Sequence, residues 1–414
     1  MTAAVPTPSS GPTGLGAVWG ARARSVLASP ANPLRVITTL GWGILISAVL
    51  ALVLALVFGW SELLAVALIG VLALVFAIPF VLGRTAYEVE VELASPRVVV
   101  GDPAVGRVVV RNTSRRASPS TRIELPVGRV TAEFRMPRLA SGAEHDELFQ
   151  IPTQRRAVLT LGPVTSVRTD PLGLLRREVG WTEPTELYVH PRVVPLAGET
   201  TGLLRDLEGL PTRDLADDDV SFHALREYSP GDDLRYVHWK STARTQTLMI
   251  RQFEQTRRSH LVVVLSTRAA EYAGDDEFEL AVSTAGSIGL TALRDGKNVT
   301  VLTSHGPLVT PTPTQLLDRL AGDEREESAP GTEAVARTVA KATPGASVVT
   351  FVTGSTTPLA ELRSASVRVP ATARSTALRT ADGGELARRA IGDFVVVDVP
   401  DLASLRIAMR GLAA

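Results

Sequence analysis

Two apolar runs near the N-terminus restrict this chain more than any other feature. Val36–Phe58 reads VITTLGWGILISAVLALVLALVF, and Leu63–Leu82 reads LLAVALIGVLALVFAIPFVL; neither contains a charge. A helix needs about 20 apolar residues to cross the hydrocarbon core of a bilayer. The two runs therefore predict a transmembrane helical hairpin over residues 35–83, connected by Gly59, Trp60, Ser61 and Glu62. Trp60 suits a membrane interface, where its ring is apolar and its N–H stays wet. A cleaved signal peptide fits poorly, because the first run starts late and a second follows at once.

Flanking cations set the expected orientation. Arg22, Arg24 and Arg35 precede the first run and Arg84 follows the second, whereas the connection carries only Glu62. Positive-inside logic puts both ends, and with them the soluble part, in the cytoplasm of a cell whose plasma membrane holds the hairpin. Residues 1–34 read as a disordered basic tail, rich at the start in Pro, Gly, Ser, Thr and Ala.

The 414 residues leave room for two or three soluble domains. Lys plus Arg equals Asp plus Glu at 43 each, so no global positive field exists to hold nucleic acid. The absence of cysteine excludes disulfides, thiolate zinc sites and cysteine nucleophiles.

Residues 86–195 alternate with period two. Tyr87–Leu93 reads YEVEVEL, and further strands are expected at 97–100, 106–112, 122–127, 133–136, 147–151, 157–161, 165–168 and 187–190. Short strands at this spacing predict an antiparallel β-sandwich. Residues 196–258 form a connector, with a short helix expected at Leu203–Leu210 and a solvated acidic run at Asp217–Asp219. Residues 259–414 alternate strand and helix. Leu261–Leu265 is a continuous apolar run, as in a central parallel strand. Helices are expected at 277–294, 314–320, 333–342, 359–363, 386–391 and 402–412, strands at 298–302, 347–352, 366–369 and 394–399, and an acidic surface loop at 323–331. The alternation implies a doubly wound α/β sheet.

The connector contains the most distinctive stretch, from His223 to Glu254. Ser229-Pro230-Gly231-Asp232 has the chemistry of a turn, and Asp232 or Asp233 can cap the helical turn that follows. Arg226, Arg235 and Arg244 are matched by Glu227, Asp232, Asp233 and Glu254, so Arg–carboxylate forks are expected. Trp239 beside Lys240 reads either as a stacking or cation–π element or as a packed hinge between domains.

This stretch resembles the signature of the bacterial family called domain of unknown function 58, R-E-Y-x-P-G-D-D-x-R-x-I-x-W-K-x-x-A-R. It is matched by Arg226, Glu227, Tyr228, Pro230, Gly231, Asp232, Asp233, Arg235, Trp239, Lys240, Ala243 and Arg244, with Val237 for the isoleucine. Arg155-Arg156, Asp170-Pro171-Leu172-Gly173-Leu174 and His190-Pro191-Arg192-Val193 are similar to the family's layout as well. The resemblance implies a von Willebrand factor A-like, Rossmann-like α/β domain after the signature. It also implies a MoxR-type AAA+ ATPase as partner, and an adaptor or maturation role rather than catalysis. No residue pattern names the client protein.

Type A domains hold Mg²⁺ through Asp-x-Ser-x-Ser after the first strand. The aligned residues here are Ser266, Thr267 and Arg268, and the later loop reads Val352-Thr353-Gly354-Ser355 without its aspartate. A guanidinium repels a cation that wants hard anionic oxygens, so no metal and no cofactor is expected. The six histidines form no metal pair at helical spacing, and neither a P-loop nor a G-x-S-x-G elbow is present. The leading expectation is a membrane-tethered, non-enzymatic interaction protein. The alternative is a hydrolase of envelope material using Asp232, Asp233 and His238.

Overall fold

The computed structural model describes residues 36–82, 86–196, 221–254, 260–308 and 312–413. The N-terminal tail, Arg84, the Leu203–Leu210 segment and Asp217–Asp219 lie outside them. Contacts divide the chain into two units: Met1–Ala94, Val105–Gln150 and Thr160–Glu186 form one, and Ser95–Ala104, Ile151–Leu159 and Leu187–Ala414 the other.

The first unit opens with two helices, α1 (Thr39–Phe58) and α2 (Ser61–Val81), long and apolar enough to cross a membrane. The connection is shorter than the four residues expected. Gly59 takes a positive φ of 70° as the C-cap of α1, and α2 starts at Ser61, leaving only Gly59 and Trp60 between them. Small residues meet at the helix contact: Ala48, Ala51 and Ala55 of α1 and Ala67 and Ala77 of α2 are buried. A side chain on Gly70 would press on Ala48. Leu50, Leu56, Leu68 and Leu72 point outward and are exposed. This reverses the pattern of a water-soluble hairpin and is the packing that helices use in lipid.

The strands of this unit follow from period two. In β1 (Tyr87–Leu93), Tyr87 and Val89 are buried while Glu88, Glu90 and Glu92 are exposed. β1 pairs antiparallel with β3 (Ala104–Asn112), which is followed in its sheet by β6 (Glu144–Ile151). A second set joins β4 (Thr121–Val127) to β5 (Val130–Met136) and β8 (Thr165–Thr169), and β8 to β9 (Arg176–Gly180). Val89, Val108, Val110, Ile123, Leu125 and Val164 share one core. β9 lies outside the expected strands, since Arg-Arg-Glu-Val-Gly offers one apolar residue to read.

The apolar hairpin meets this β structure around residues 170–177. The Thr38 N–H donates to the Leu174 carbonyl at 3.0 Å, and its hydroxyl lies 2.7 Å from the Gly173 carbonyl. The same hydroxyl caps α1 by accepting from Gly41 N at 3.0 Å. The Arg176 N–H donates to the Val36 carbonyl at 2.7 Å. Leu174 and Leu175 are buried with Ala77 and Val81 of α2. Asp170 shapes the turn by accepting from the amides of Leu172 (2.8 Å) and Leu175 (2.6 Å).

In the second unit, β2 (Arg97–Val99) pairs with β10 (Thr185–His190) in parallel. This corrects the all-antiparallel expectation: the two strands come together from distant parts of the chain, not through a hairpin. Two further strands precede the α/β sheet, β11 (Ser221–Glu227) and β12 (Met249–Glu254), with helix α3 (Trp239–Thr245) between them; β7 is Ala157–Leu161.

The α/β sheet has the order β15-β14-β13-β16-β17-β19-β18. The parallel strands are β13 (His260–Leu265), β14 (Asn298–Thr303), β16 (Val348–Gly354), β17 (Arg374–Thr380) and β19 (Phe394–Val399). β15 (Gly306–Leu308) and β18 (Ala387–Ile391) close the edges antiparallel. Along β13, Leu261, Val263 and Leu265 face a core with α4 (Asp275–Arg294), α5 (Pro313–Gly322) and α8 (Leu405–Ala413). Val262 and Val264 face α6 (Thr332–Ala342) and α7 (Leu359–Val367) on the other side. That alternation explains the continuous apolar run of the strand.

Two expectations fail here. Residues 366–369 are not a strand: α7 continues through Val367, with Leu362 and Ala365 buried at helical spacing, and the strand lies at Arg374–Thr380. Residues 386–391 are not a helix but the strand β18, paired Ile391↔Phe394 around Gly392-Asp393, a hairpin turn with Gly392 at φ 63°.

Loss of the Thr38 cap in Thr38→Val costs about 1 kcal/mol of hairpin stability and frees the turn. Gly41→Val acts more strongly, because a Cβ at position 41 collides with the Leu174 carbonyl. Hydrogen exchange at the Arg176 amide checks both; unchanged protection in the two variants would sink the idea of a clamp.

Candidate functional site

The distinctive stretch folds as a small subdomain. β11 and β12 pair antiparallel, and the residues between them make a turn, a short 3-10 helix and α3. The Asp232 N–H closes the turn on the Ser229 carbonyl at 3.0 Å, with Gly231 at φ 112°. Asp233 caps the 3-10 helix Leu234–Tyr236 by accepting from Arg235 N. His238 caps α3: its Nδ1 accepts from Ser241 N at 3.2 Å and lies 2.7 Å from the Ser241 hydroxyl. The Tyr228 amide donates to Leu248 and the His238 amide to Met249, both at 2.8 Å, which ties the excursion to β12.

Among the described residues the expected forks are present at Arg226 and Arg235. Arg226 holds Asp232 with both terminal nitrogens, at 2.7 and 2.6 Å, and Ser229 N adds a third bond at 2.8 Å. Arg235 reaches Asp233 at 2.7 Å. The Arg226 bond, aided by Ser229 N–H, holds the Asp232 carboxyl below the usual aspartate value. The Arg235 bond does the same for Asp233. Arg244 stands in the last turn of α3. Glu227 ends β11 and is exposed. The side chain of Glu254, the remaining expected partner, lies outside the described residues.

Asp232, Asp233 and His238 are thus held by three different partners, Arg226, Arg235 and Ser241. Carboxyls with lowered pKa are poor proton donors near neutral pH. Only Val237 and Ile250 are buried in the subdomain among the described residues from Leu225 to Arg251. Trp239 is 68% exposed and Leu234 59% exposed, with Tyr228 and Leu248 also at the surface. The packed-hinge expectation for Trp239 is therefore corrected: Trp239 is the first residue of a seven-residue helix, and the inner positions belong to other side chains.

A second locus lies at the carboxyl ends of β13 and β16. The chain leaves β13 for β14 on one side and returns to β16 on the other, so the two ends flank a switch point, where open α/β sheets usually take ligands. Ser266 and Thr267 are fully buried there, and Arg268 is exposed. The acidic segment expected as a surface loop folds back over them: Glu326 N donates to the Thr267 carbonyl and Ala269 N to the Glu326 carbonyl, both at 2.9 Å. Glu271, which is 3% exposed, lies among these strand ends. Its carboxylate accepts from Thr332 N (2.8 Å), the Thr332 hydroxyl (2.6 Å) and the Thr353 hydroxyl (2.8 Å). The donor set does not fit Mg²⁺: the Glu271 carboxylate is engaged by three donors, the buried Glu277 carboxylate accepts from the amides of Ala273 and Ser355, and no cluster of three or more metal-binding side chains occurs among the described residues. Glu271 carries no sequence signal, since nothing in Ala-Ala-Glu-Tyr marks a buried carboxylate.

Residues 224–398 match the family described as "Protein of unknown function DUF58". Those residues are a DUF58 domain. It takes in most of the signature subdomain and the sheet through β19. The chain is similar to "Uncharacterized protein YeaD" of Bacillus subtilis (strain 168), with 33% identity over 73 residues, 18% of this chain and 17% of that protein. It thus spans under a fifth of that relative's length. The β-rich region resembles the CARDB domain of a Pyrococcus furiosus protein, solved with di-metal ions, at 16% identity over 25% of this chain and 93% of that one, with a TM-score of 0.20. A β-glucosidase from Listeria innocua aligns at 15% identity over 26% of this chain and 17% of its own, with a TM-score of 0.19. At such scores neither likeness bears on ligand or activity.

The DUF58 domain yields two expected outcomes. Since the Asp232 and Asp233 pKa values are lowered, their contribution is complete above the ordinary aspartate value of 3.8 and is lost only as pH falls below it, through the depressed folded value. Protection of the Ser229 amide should persist through the ordinary carboxylate range, and Asp232→Asn should remove its pH dependence; loss already at the ordinary value would contradict the forks. Separately, Glu271→Ala strands the buried donors of Thr332 and Thr353, at about 1–3 kcal/mol for each unsatisfied group. Thermal unfolding should show a clear loss for this variant and almost none for Glu326→Ala, whose side chain is exposed.

Proposed function

We propose that this chain is a membrane-anchored, non-enzymatic adaptor whose DUF58 signature offers a contact surface to a MoxR-type AAA+ ATPase during assembly or maturation of a protein complex. The observation that carries this reading is the exposure of Trp239 and Leu234 on a cross-braced subdomain. The braces consume the polar groups that catalysis would need, while a tryptophan and a leucine are left to water. Exposed aromatic residues next to arginines are the composition of interface hot spots. Lys240 follows Trp239, and Arg235 lies in the preceding 3-10 helix.

The apolar surface of α1 and α2 supports plasma-membrane anchoring. The arginines at residues 22, 24, 35 and 84 support a cytoplasmic placement of both soluble units. The two-sheet core supports a β-sandwich reading for the β-rich region. The parallel strands with helices on both faces support a von Willebrand factor A-like reading for the DUF58 domain.

Affinity capture from gently solubilised membranes tests the reading. Wild type should retain a MoxR-type ATPase, and Trp239→Ala and Arg235→Ala should each lose most of it while unfolding at the wild-type temperature. Equal capture by both variants would remove the signature from the contact, and no ATPase with wild type would remove the partner.

A further inference from the structure

The turn at residues 170–175 lies at a definite level along the hairpin. It meets Thr38 and Gly41 at the start of α1 and packs against Ala77 and Val81 at the end of α2. Ile44, Ala73 and Leu74 extend the same apolar contact. A 20-residue helix such as α1 is about 30 Å long, roughly the thickness of a hydrocarbon core. A bilayer that covers α1 from end to end therefore reaches Leu174.

The tryptophans give a second measure of level. Trp60 is 57% exposed at the closed tip, and Trp42 is 37% exposed beside Gly41, the residue that the turn touches. Such rings collect at the two faces of a bilayer. Leu172 shares the turn and is half exposed, while Leu174 and Leu175 are buried. The Asp170 bonds hold the turn through backbone amides, so its shape does not depend on the Leu172 side chain. A leucine held out from a fixed turn is unfavourable in water and favourable at the boundary of headgroups and acyl chains.

Resting on the reading that α1 and α2 span a bilayer, we propose that this turn is a third membrane contact, with Leu172 inserted into the lipid at the open end of the hairpin. The occupant of this surface is the bilayer itself, continuous with the lipid around the helices.

The chain has no cysteine, so single cysteines carry a probe cleanly. Full-length Leu172→Cys, labelled with the environment-sensitive fluorophore NBD, is reconstituted in phosphatidylcholine–phosphatidylglycerol vesicles. Leu50→Cys, mid-helix in α1, and Val130→Cys, exposed on β5, serve as references. The label at 172 should emit to the blue of that at 130, lose intensity to headgroup-level spin-labelled lipid, and be shielded several-fold from iodide. If position 50 is quenched by lipid while 172 behaves like 130, the turn stays in water and the proposal is overturned. If position 50 is itself open to iodide, the spanning reading falls and takes the proposal with it.

Discussion

The bonds between Thr38 and the carbonyls of Gly173 and Leu174 join the apolar hairpin to β structure within one unit. The first turn of a helix leaves N–H groups without partners, and a tight turn leaves carbonyls outside any ladder. Here each supplies the other's lack. Beside these bonds the hairpin is held to the β structure by the Arg176–Val36 bond and by the packing of Leu174 and Leu175 on Ala77 and Val81. The small residues that let α1 and α2 approach also matter, because Gly41 is the site where the turn's backbone needs space.

The DUF58 signature follows a different logic. Its conspicuous charges pair with one another at the surface. Arg226 with Asp232, Arg235 with Asp233 and the His238 cap make a stiff frame from a segment with few buried apolar residues. At the strand ends Glu271 likewise takes up the buried donors of Thr332 and Thr353. What remains on the outside is mainly aromatic, aliphatic and cationic. Charged residues of the other distinctive segments also brace the second unit from within. Arg97 and His190 converge on Asp318, and Arg156 pairs with Glu279 at 3.0 Å while lying over the Phe278 ring.

Much of this architecture is legible where one physical signal dominates. Charge-free runs announce α1 and α2, strict alternation announces β1, and an unbroken apolar run announces β13. Legibility fails where composition is neutral. Ala387–Ile391 carries two arginines and two alanines, which suit a helix as well as an edge strand, and only the pairing with β19 decides. Arg374–Thr380 hides a buried strand behind two arginines and a run of small residues. The turn chemistry and the forks of the signature are readable because their partners lie within a few residues. The Thr38 contact spans 135 residues, and the bonds of Glu271 to Thr332 and Thr353 span 61 and 82, separations that no local pattern carries. The exposure of Trp239 escapes a local reading for the same reason, since burial of a tryptophan is decided by what comes to cover it.

The connection of only Gly59 and Trp60 at the tip of the hairpin has a consequence for information flow. In a bilayer this tip would offer the far compartment one ring and almost no backbone. In such a bilayer the tip itself would give a dissolved ligand on that side little to grip. Contacts reaching the hairpin from elsewhere would then fall on the exposed leucines of α1 and α2 or on the turn at residues 170–175.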